Sequence, residues 1–549
     1  MKQVVVRIAL LVTFLALCIG GTAMASDLEK MVRVGLYFDS TSLASANLEN
    51  SVGTGYRFGY YDTNDNFVQL GNTSVTQISM LKTQNQYLTS SSTYSTTSSG
   101  SSDTIIGCYH IQFPESYASF DAAKTAASGV SGGFPAWISG TYYVRVGAYA
   151  TKEDATSAQT ALAVPNTTIV GTSCYGISIT QTKTATILFQ FDSGGNNIFA
   201  VNPGQDNSQK TTTWFKGYKY YGNFLYERID GGNLTVVNYL PMDDYVKGIL
   251  PYEMSASWPI EALKAQAVCA RSYTVSATGS KHAADHFDIC NTTCCQVYRG
   301  TNSATTNSDK AVDDTAGIYA RYNGAIAQTY YYSSNGGASE DVGNVWSGSV
   351  PYLKGVKDPY EASIAKSISN YYWTVTYTCD QLTAKLKAKG YGCGNITNLS
   401  VSKFTDMGNV YAITFTDDAG KTYSFSKEKA RTTLGLASMR FNIAASGGSS
   451  SSYYVDESGD SLSSLDGAYA IDGSGQVSQI TDGTSAYAIT SSGTGLLTTQ
   501  SSGGGSFVIS GSGNGHNVGL SQWGAYAMAK QGCTYDQILK FYYTGIDLY

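Results

Sequence analysis

Apolar and other positions alternate with period two over Val32-Arg33-Val34-Gly35-Leu36-Tyr37-Phe38, which predicts a strand. The same alternation at residues 185–191, 218–221 and 234–237 predicts three more. Between them lies a weak internal repeat. Tyr109-His110-Ile111-Gln112-Phe113 is followed by Ser119-Phe120-Asp121-Ala122-Ala123-Lys124. Tyr142-Tyr143-Val144-Arg145-Val146-Gly147-Ala148-Tyr149 is followed by Lys152-Glu153-Asp154-Ala155-Thr156-Ser157-Ala158. Each copy reads as a strand, a turn and an Ala-rich helix opened by acidic residues, which suit the positive end of a helix dipole. Two copies give a small βαββαβ unit over residues 104–182.

From Leu240 the period lengthens. Residues 243–250 predict a short helix stopped by Pro251, with 251–254 as a tight loop. Ser257 is an N-cap candidate, with Pro259 in the first turn of the next helix. In that helix Ile260, Leu263, Ala267 and Ala270 form a core stripe, while Lys264 and Arg271, seven residues apart, share another face. Residues 90–102 are almost all Ser, Thr and Tyr and read as a linker. Residues 444–505 are Gly/Ser-rich and read as an insertion, with strand-like pieces such as Tyr469-Ala470-Ile471. Motif density returns from 507 to 549, with a last helix at 522–530. The layout is therefore 1–25, 26–103, 104–182, 183–443, 444–505 and 506–549.

Met1-Lys2 and Arg7, an apolar run from Ile8 to Gly20 and Ala23-Met24-Ala25 form a secretory signal, cleaved before Ser26 or kept as an anchor. Cys18 after Leu17 makes a poor lipidation site. No other stretch is apolar enough to span a membrane, so a secreted, extracytoplasmic protein is expected. Net charge is −6, which gives no support to a nucleic-acid role. Charged residues are only 14%, whereas Gly (58) and Tyr (43) abound. Neutral, aromatic-rich β surface suits sugars, and equally suits β structure of any function. Cys108 and Cys174 form one candidate disulfide pair, and Cys379 and Cys393 another.

Four groups of residues carry candidate chemistry. Glu253, between Tyr252 and Met254, sits at a helix–helix junction. An apolar shell would keep such a carboxyl protonated for acid work, although a solvated loop glutamate fits the same residues. His282, Cys290, Cys294 and Cys295, with His286 nearby, offer three thiolates and an imidazole for a tetrahedral zinc. A disulfide from Cys290 to Cys294 or Cys295 fits an exported protein as well. Four ligands make a closed, structural site, since a catalytic zinc keeps one position open. Ser333-Ser334-Asn335-Gly336-Gly337 reads as a polar turn able to line a sugar cleft, or as an ordinary Gly turn. Gly515-His516-Asn517 leads into Gln522-Trp523-Gly524-Ala525, a Gly-rich block that matches no phosphate loop.

Taken in order, these blocks resemble the sporulation stage II protein D (SpoIID/LytB) family. The matching pieces are Asp244-Tyr245-Val246-Lys247-Gly248, Pro251-Tyr252-Glu253-Met254, Trp258-Pro259-Ile260-Glu261-Ala262-Leu263-Lys264-Ala265-Gln266-Ala267, Cys290 with Cys295-Gln296-Val297-Tyr298, Ser333-Ser334 with Gly336-Gly337, and the block from Gly515 to Ala525. They cover residues 240–443 and 507–549. Residues 104–182 resemble a SPOR domain, through an aromatic strand ending in Val-Gly-Ala and a helix opening near Glu-x-Ala. The resemblance implies an α+β multidomain chain: a mixed SpoIID-type core plus a small βαββαβ glycan-binding domain. It implies a lytic transglycosylase acting on peptide-free peptidoglycan strands, with Glu253 as acid and Arg271 as an important basic residue. Lys264, Gln266, Ser333, Ser334, His516 and Gln522 are then expected around the substrate. A non-enzymatic enhancer of a cell-wall amidase is the rival, and a metal-dependent wall hydrolase a further one. Two departures from the family stand out: Cys294 replaces a usual His before the last cysteine, and Asn517 replaces the usual Gly after His516.

Overall fold

A computed structural model describes residues 31–205, 209–279, 281–446 and 505–549, and the backbone of six short strands between 453 and 496. The expected signal segment lies outside the described residues, and no described helix is long and apolar enough to cross a membrane. Two compact units form: Met1–Ser257 with Thr274–Gly317, and Trp258–Tyr273 with Ile318–Tyr549.

The first unit is built on a seven-stranded and a ten-stranded sheet. Alternation along the strands sends one face of each inward. Phe58 of Tyr56–Tyr61 stacks on Phe189 of Ile187–Asp192 at 5.7 Å, and Phe191 meets Phe199 of Phe199–Pro203 at 5.0 Å. Each of these wholly buried rings contributes about 2 kcal/mol by leaving water.

The repeat folds as its pattern predicts. Strands Tyr109–Tyr117, Gly133–Ile138, Thr141–Tyr149 and Thr168–Gly171 alternate with helices Phe120–Ser128 and Lys152–Leu162. Ser119 and Thr151 cap the helices by accepting from the amides of Ala122 and Asp154. However, the βαββαβ unit does not stand apart. Gly133–Ile138 pairs in parallel with Ile187–Asp192, extending the sheet to ten strands. Nor is 90–102 a loose linker. Tyr94–Ser95 pairs with Gln86–Leu88, and Tyr94 Oη donates to Thr184 O at 2.8 Å. The segment 26–103 likewise gives strands to both sheets, so it is no separate domain.

Helix Met242–Glu253 runs through Pro251 instead of stopping there. In the last turn proline forfeits a single amide bond, and Met254 N closes the helix on Leu250 O at 3.0 Å. Glu253 is therefore the last helical residue, not part of a loop.

In the second unit, strands Tyr372–Thr378 and Phe441–Ser446 flank Ser506–Ser512, both antiparallel to it. The excursion 447–504 thus leaves and re-enters between adjacent strands, which joins the pieces ending at 443 and starting at 506 into one body. Within it the backbone pairs as three hairpins, beginning at Tyr453–Tyr454, Tyr469–Ile471 and Tyr487–Thr490. The architecture is α+β throughout.

Gly248 lies mid-helix, where alanine ordinarily stabilises. Here an added Cβ would stand 2.3 Å from Cε2 of Tyr298, a buried ring whose Oη donates to Asn238 at 2.6 Å. Gly248→Ala should destabilise the first unit by about 1–3 kcal/mol, read as a fall in its thermal midpoint. An unchanged or raised midpoint would refute the packing argument.

Candidate functional site

Glu253 is half-buried, and its Oε1 accepts the amide of Val297 at 3.2 Å. Val297 is held there by its neighbours. Gln296 Oε1 accepts from Tyr245 Oη (3.1 Å) and Thr274 Oγ1 (2.8 Å), all buried. Tyr298 is fixed by Asn238 and by the notch at Gly248. The motif Cys295-Gln296-Val297-Tyr298 is thus a strap that binds the end of the Glu253 helix.

The strap begins at the cysteine cluster. His282, Cys290, Cys294 and Cys295 place one ligand atom each within 4.8 Å of one another. His282 Nδ1 is 2.9 Å from Asp285, while its buried Nε2 has no hydrogen-bond partner among the described residues. An imidazole oriented by a carboxylate through one nitrogen, with the other turned toward thiols, has the chemistry of a metal ligand. Cys290 is lowered to about 4 by hydrogen bonds led by that from Cys295, so its thiolate is the favoured form. No disulfide joins Cys290 to Cys294 or Cys295, Cys108 to Cys174, or Cys379 to Cys393 among the described residues. Cys294 stands within the ligand set despite replacing a histidine. His286 lies outside it and pairs with Glu227 at 2.9 Å.

The remaining predicted residues belong to the second unit. Strands Tyr331–Tyr332 and Leu520–Ser521 run parallel, which brings the Ser-Ser-Asn-Gly-Gly turn beside the C-terminal block. Trp523 N donates to Ser333 O at 3.0 Å, and Gln522 opens the helix Gln522–Lys530 nearly buried. Ser334 is committed inward. Its Oγ donates to Glu361 at 2.7 Å, as do the amides of Asn335 and Gly336 at 3.0 Å and the Ser521 hydroxyl. Glu361 is 0% exposed, and desolvation raises its pKa against these donors. Asp358 caps the short helix Pro359–Ile364, which carries Glu361, and accepts from Asn335 Nδ2 (2.6 Å) and Tyr542 Oη (2.5 Å). Sequence reasoning missed Glu361 and Asp358. The Asp-Pro helix start at 358–359 was the visible signal, but nothing local marked a buried carboxylate.

Other residues serve the interior more than a cleft. Arg271 is 0% exposed and donates to Ile318 O at 3.2 Å. Gln266 is wholly buried, and neither polar atom of its amide finds a partner among the described residues. Lys264 Nζ pairs with Glu261 at 3.1 Å, whose other oxygen accepts Tyr535 N at 2.8 Å. His516 packs among Trp346 (4.9 Å) and Tyr332 (5.2 Å), with Nδ1 accepting Val518 N at 3.1 Å. Asn517 has φ +65°, the left-handed region that favours glycine and, next, asparagine. Its Nδ2 also donates to Asn335 O and Ala338 O, which explains why this departure is tolerated.

Residues 230–322 match the family model SpoIID, stage II sporulation protein. An uncharacterized protein of Brachyspira hyodysenteriae is 30% identical, covering 60% of this chain and 73% of its own length. The amidase enhancer of Bacillus subtilis is 32% identical, over 66% of this chain and 51% of that longer protein. The stage II sporulation protein D of Bacillus subtilis is 27% identical, over 58% and 76% respectively.

Burial lowers the His516 imidazole to about 4, from 6.5 when solvated. The unfolded chain therefore takes up a proton first as pH falls. The contribution to stability is complete above pH 6.5 and is lost as pH falls toward 4. His110, buried in the first unit, is also lowered to about 4 and has the same dependence. Each should cost about 1–3 kcal/mol over that window. Thermal midpoints between pH 7 and 4 should fall less steeply in His516→Gln and His110→Gln. Parallel slopes for wild type and variants would contradict this assignment.

Proposed function

Because the chain belongs to the stage II sporulation protein D family, we propose that it is a lytic transglycosylase. Its substrate is peptidoglycan glycan freed of stem peptides, cut in sporulation or wall remodelling outside the membrane. Glu253, protonated, donates to the glycosidic oxygen that leaves muramic acid C1. The carboxylate so formed takes the proton of the muramic acid 6-hydroxyl as that oxygen bonds to C1. The products are a 1,6-anhydro end and a free hydroxyl end, with no water consumed. One carboxyl serves both steps, whereas glycoside hydrolases ordinarily use a pair. The observation that carries this reading is the Val297 amide on Glu253 Oε1. A carboxyl oriented by backbone, at a half-buried helix end, is set for proton transfer in a fixed direction.

Arg271 is assigned a positioning role, since its buried guanidinium holds Ile318. Residues 104–182 are assigned to glycan-strand binding. His282, Cys290, Cys294 and Cys295 would hold a zinc ion, whose chemistry here is structural cross-linking of the segment that leads into the strap. A second reading is favoured by one comparison, the relative named amidase enhancer. On that reading the protein binds wall glycan and stimulates an amidase without cutting.

Amidase-denuded strands treated with wild type should give anhydro-ended fragments by mass spectrometry, and Glu253→Gln should lower their yield by at least about a hundredfold. Water-added ends would mean a hydrolase; binding without cleavage by either protein would favour the enhancer. Purified protein should carry one zinc per chain. Cys290→Ser should lose it and lower the thermal midpoint of the first unit. A metal-free wild type with an unaltered midpoint in chelator would rule the zinc site out.

A further inference from the structure

The ten-stranded sheet carries a second feature, built from residues not assigned a role above. A cleft of about 440 Å³ opens on it. Its floor is a row set by strand register: Trp214 pairs with Glu49, and Glu49 pairs with Gln77 on the next strand. Asn47, two residues along, shares the Glu49 face by the period of the pleat and also lines the cleft. Trp214 is 36% exposed, an indole left in solvent on a sheet whose other large rings are buried or half-buried.

The rim is formed by two hairpin tips. Lys183 ends one and Lys216 the other, and both line the cleft. Both have positive φ, +64° and +49°, where lysine costs about 1–2 kcal/mol relative to glycine. Lys216 Nζ rests 5.8 Å from the Tyr37 ring, which limits its reach.

We infer that this cleft is a second glycan-binding site, for strands that carry free carboxylates. The indole offers a flat apolar platform for the C–H face of a sugar ring. Glu49, Gln77 and Asn47 offer acceptors and donors at the height of its hydroxyls and amides. The two ammonium groups suit the lactyl carboxylates that muramic acid exposes once its peptide is gone. Net charge −6 argues against a nucleic-acid strand on the same platform. The inference rests on the peptide-free wall substrate proposed above, and adds a holding site whose residues take no part in Glu253 chemistry.

The test measures binding of the full chain to denuded glycan strands and to neutral chitin oligomers, all in the Glu253→Gln background so that strands stay intact. Trp214→Ala should weaken binding to both by at least tenfold. Lys183→Gln with Lys216→Gln should weaken binding to denuded strands by a similar factor and leave chitin unchanged. Thermal midpoints should stay unchanged, since all three side chains lie at the surface. Cleavage of short soluble fragments at saturation, measured with Glu253 restored, should also be unchanged in these variants. Trp214→Ala that binds like its parent overturns the site, and equal losses on both ligands from the lysine pair overturn the carboxylate preference. If Glu253→Gln still cleaves while Trp214→Ala loses binding, the transglycosylase reading fails and the binding site stands.

Discussion

One backbone amide, that of Val297, sets the direction of the Glu253 carboxyl, and much of the first unit is arranged to keep it there. The four-residue strap is fixed at successive positions by Gln296, Val297 and Tyr298, through a buried tyrosine, a threonine and an asparagine. Its upstream end is the cysteine cluster. Cys294 is exposed, and Cys295 is half-buried against the cluster that includes Leu225, Phe287 and Cys290, so a bound ion would add order chiefly at Cys294. A metal held there would be linked to the placement of the Glu253 carboxyl through Cys295, Gln296 and Val297.

The second unit uses a buried charge for the same purpose. Glu361 gathers two serine hydroxyls and two backbone amides, and Asp358 gathers an asparagine and a tyrosine. Burying carboxyls is costly unless donors satisfy them, and these donors come from segments far apart in the chain. The cost is returned as specification, because the turn at 333–337 and the block at 515–524 are held in one arrangement. Gly524 shows how tight it is: an added Cβ would stand 1.8 Å from Tyr542 Oη. A family motif in this unit therefore marks residues that build the surroundings of a cleft as often as residues that face it.

Charged residues make up only 14% of the chain. The low charged fraction leaves sheet surface dressed in hydroxyls, amides and rings, which suits weak, repeated contacts along a strand. On the proposed function, binding spread over several sites would raise the effective concentration of glycan at Glu253 without strong affinity at any one of them.

What the sequence determined by itself was local: the βαββαβ order, the helix that carries Lys264 and Arg271, and the clustering of His282, Cys290, Cys294 and Cys295, whereas Glu253 was singled out as an acid by the family resemblance alone. The local features depend on spacing and periodicity within about twenty residues, where the chain's own geometry decides. Tertiary structure alone decided that Pro251 stays helical, that residues 90–102 fold onto the sheet, that Ser334 turns inward to Glu361, and that Arg271 is buried. It also aligned Trp214 with Glu49 and Gln77, more than a hundred residues before it in the chain. Each of these depends on long-range register and on which donors reach a buried acceptor. Such pairings are set by which distant strands meet, and no local pattern of residues encodes them.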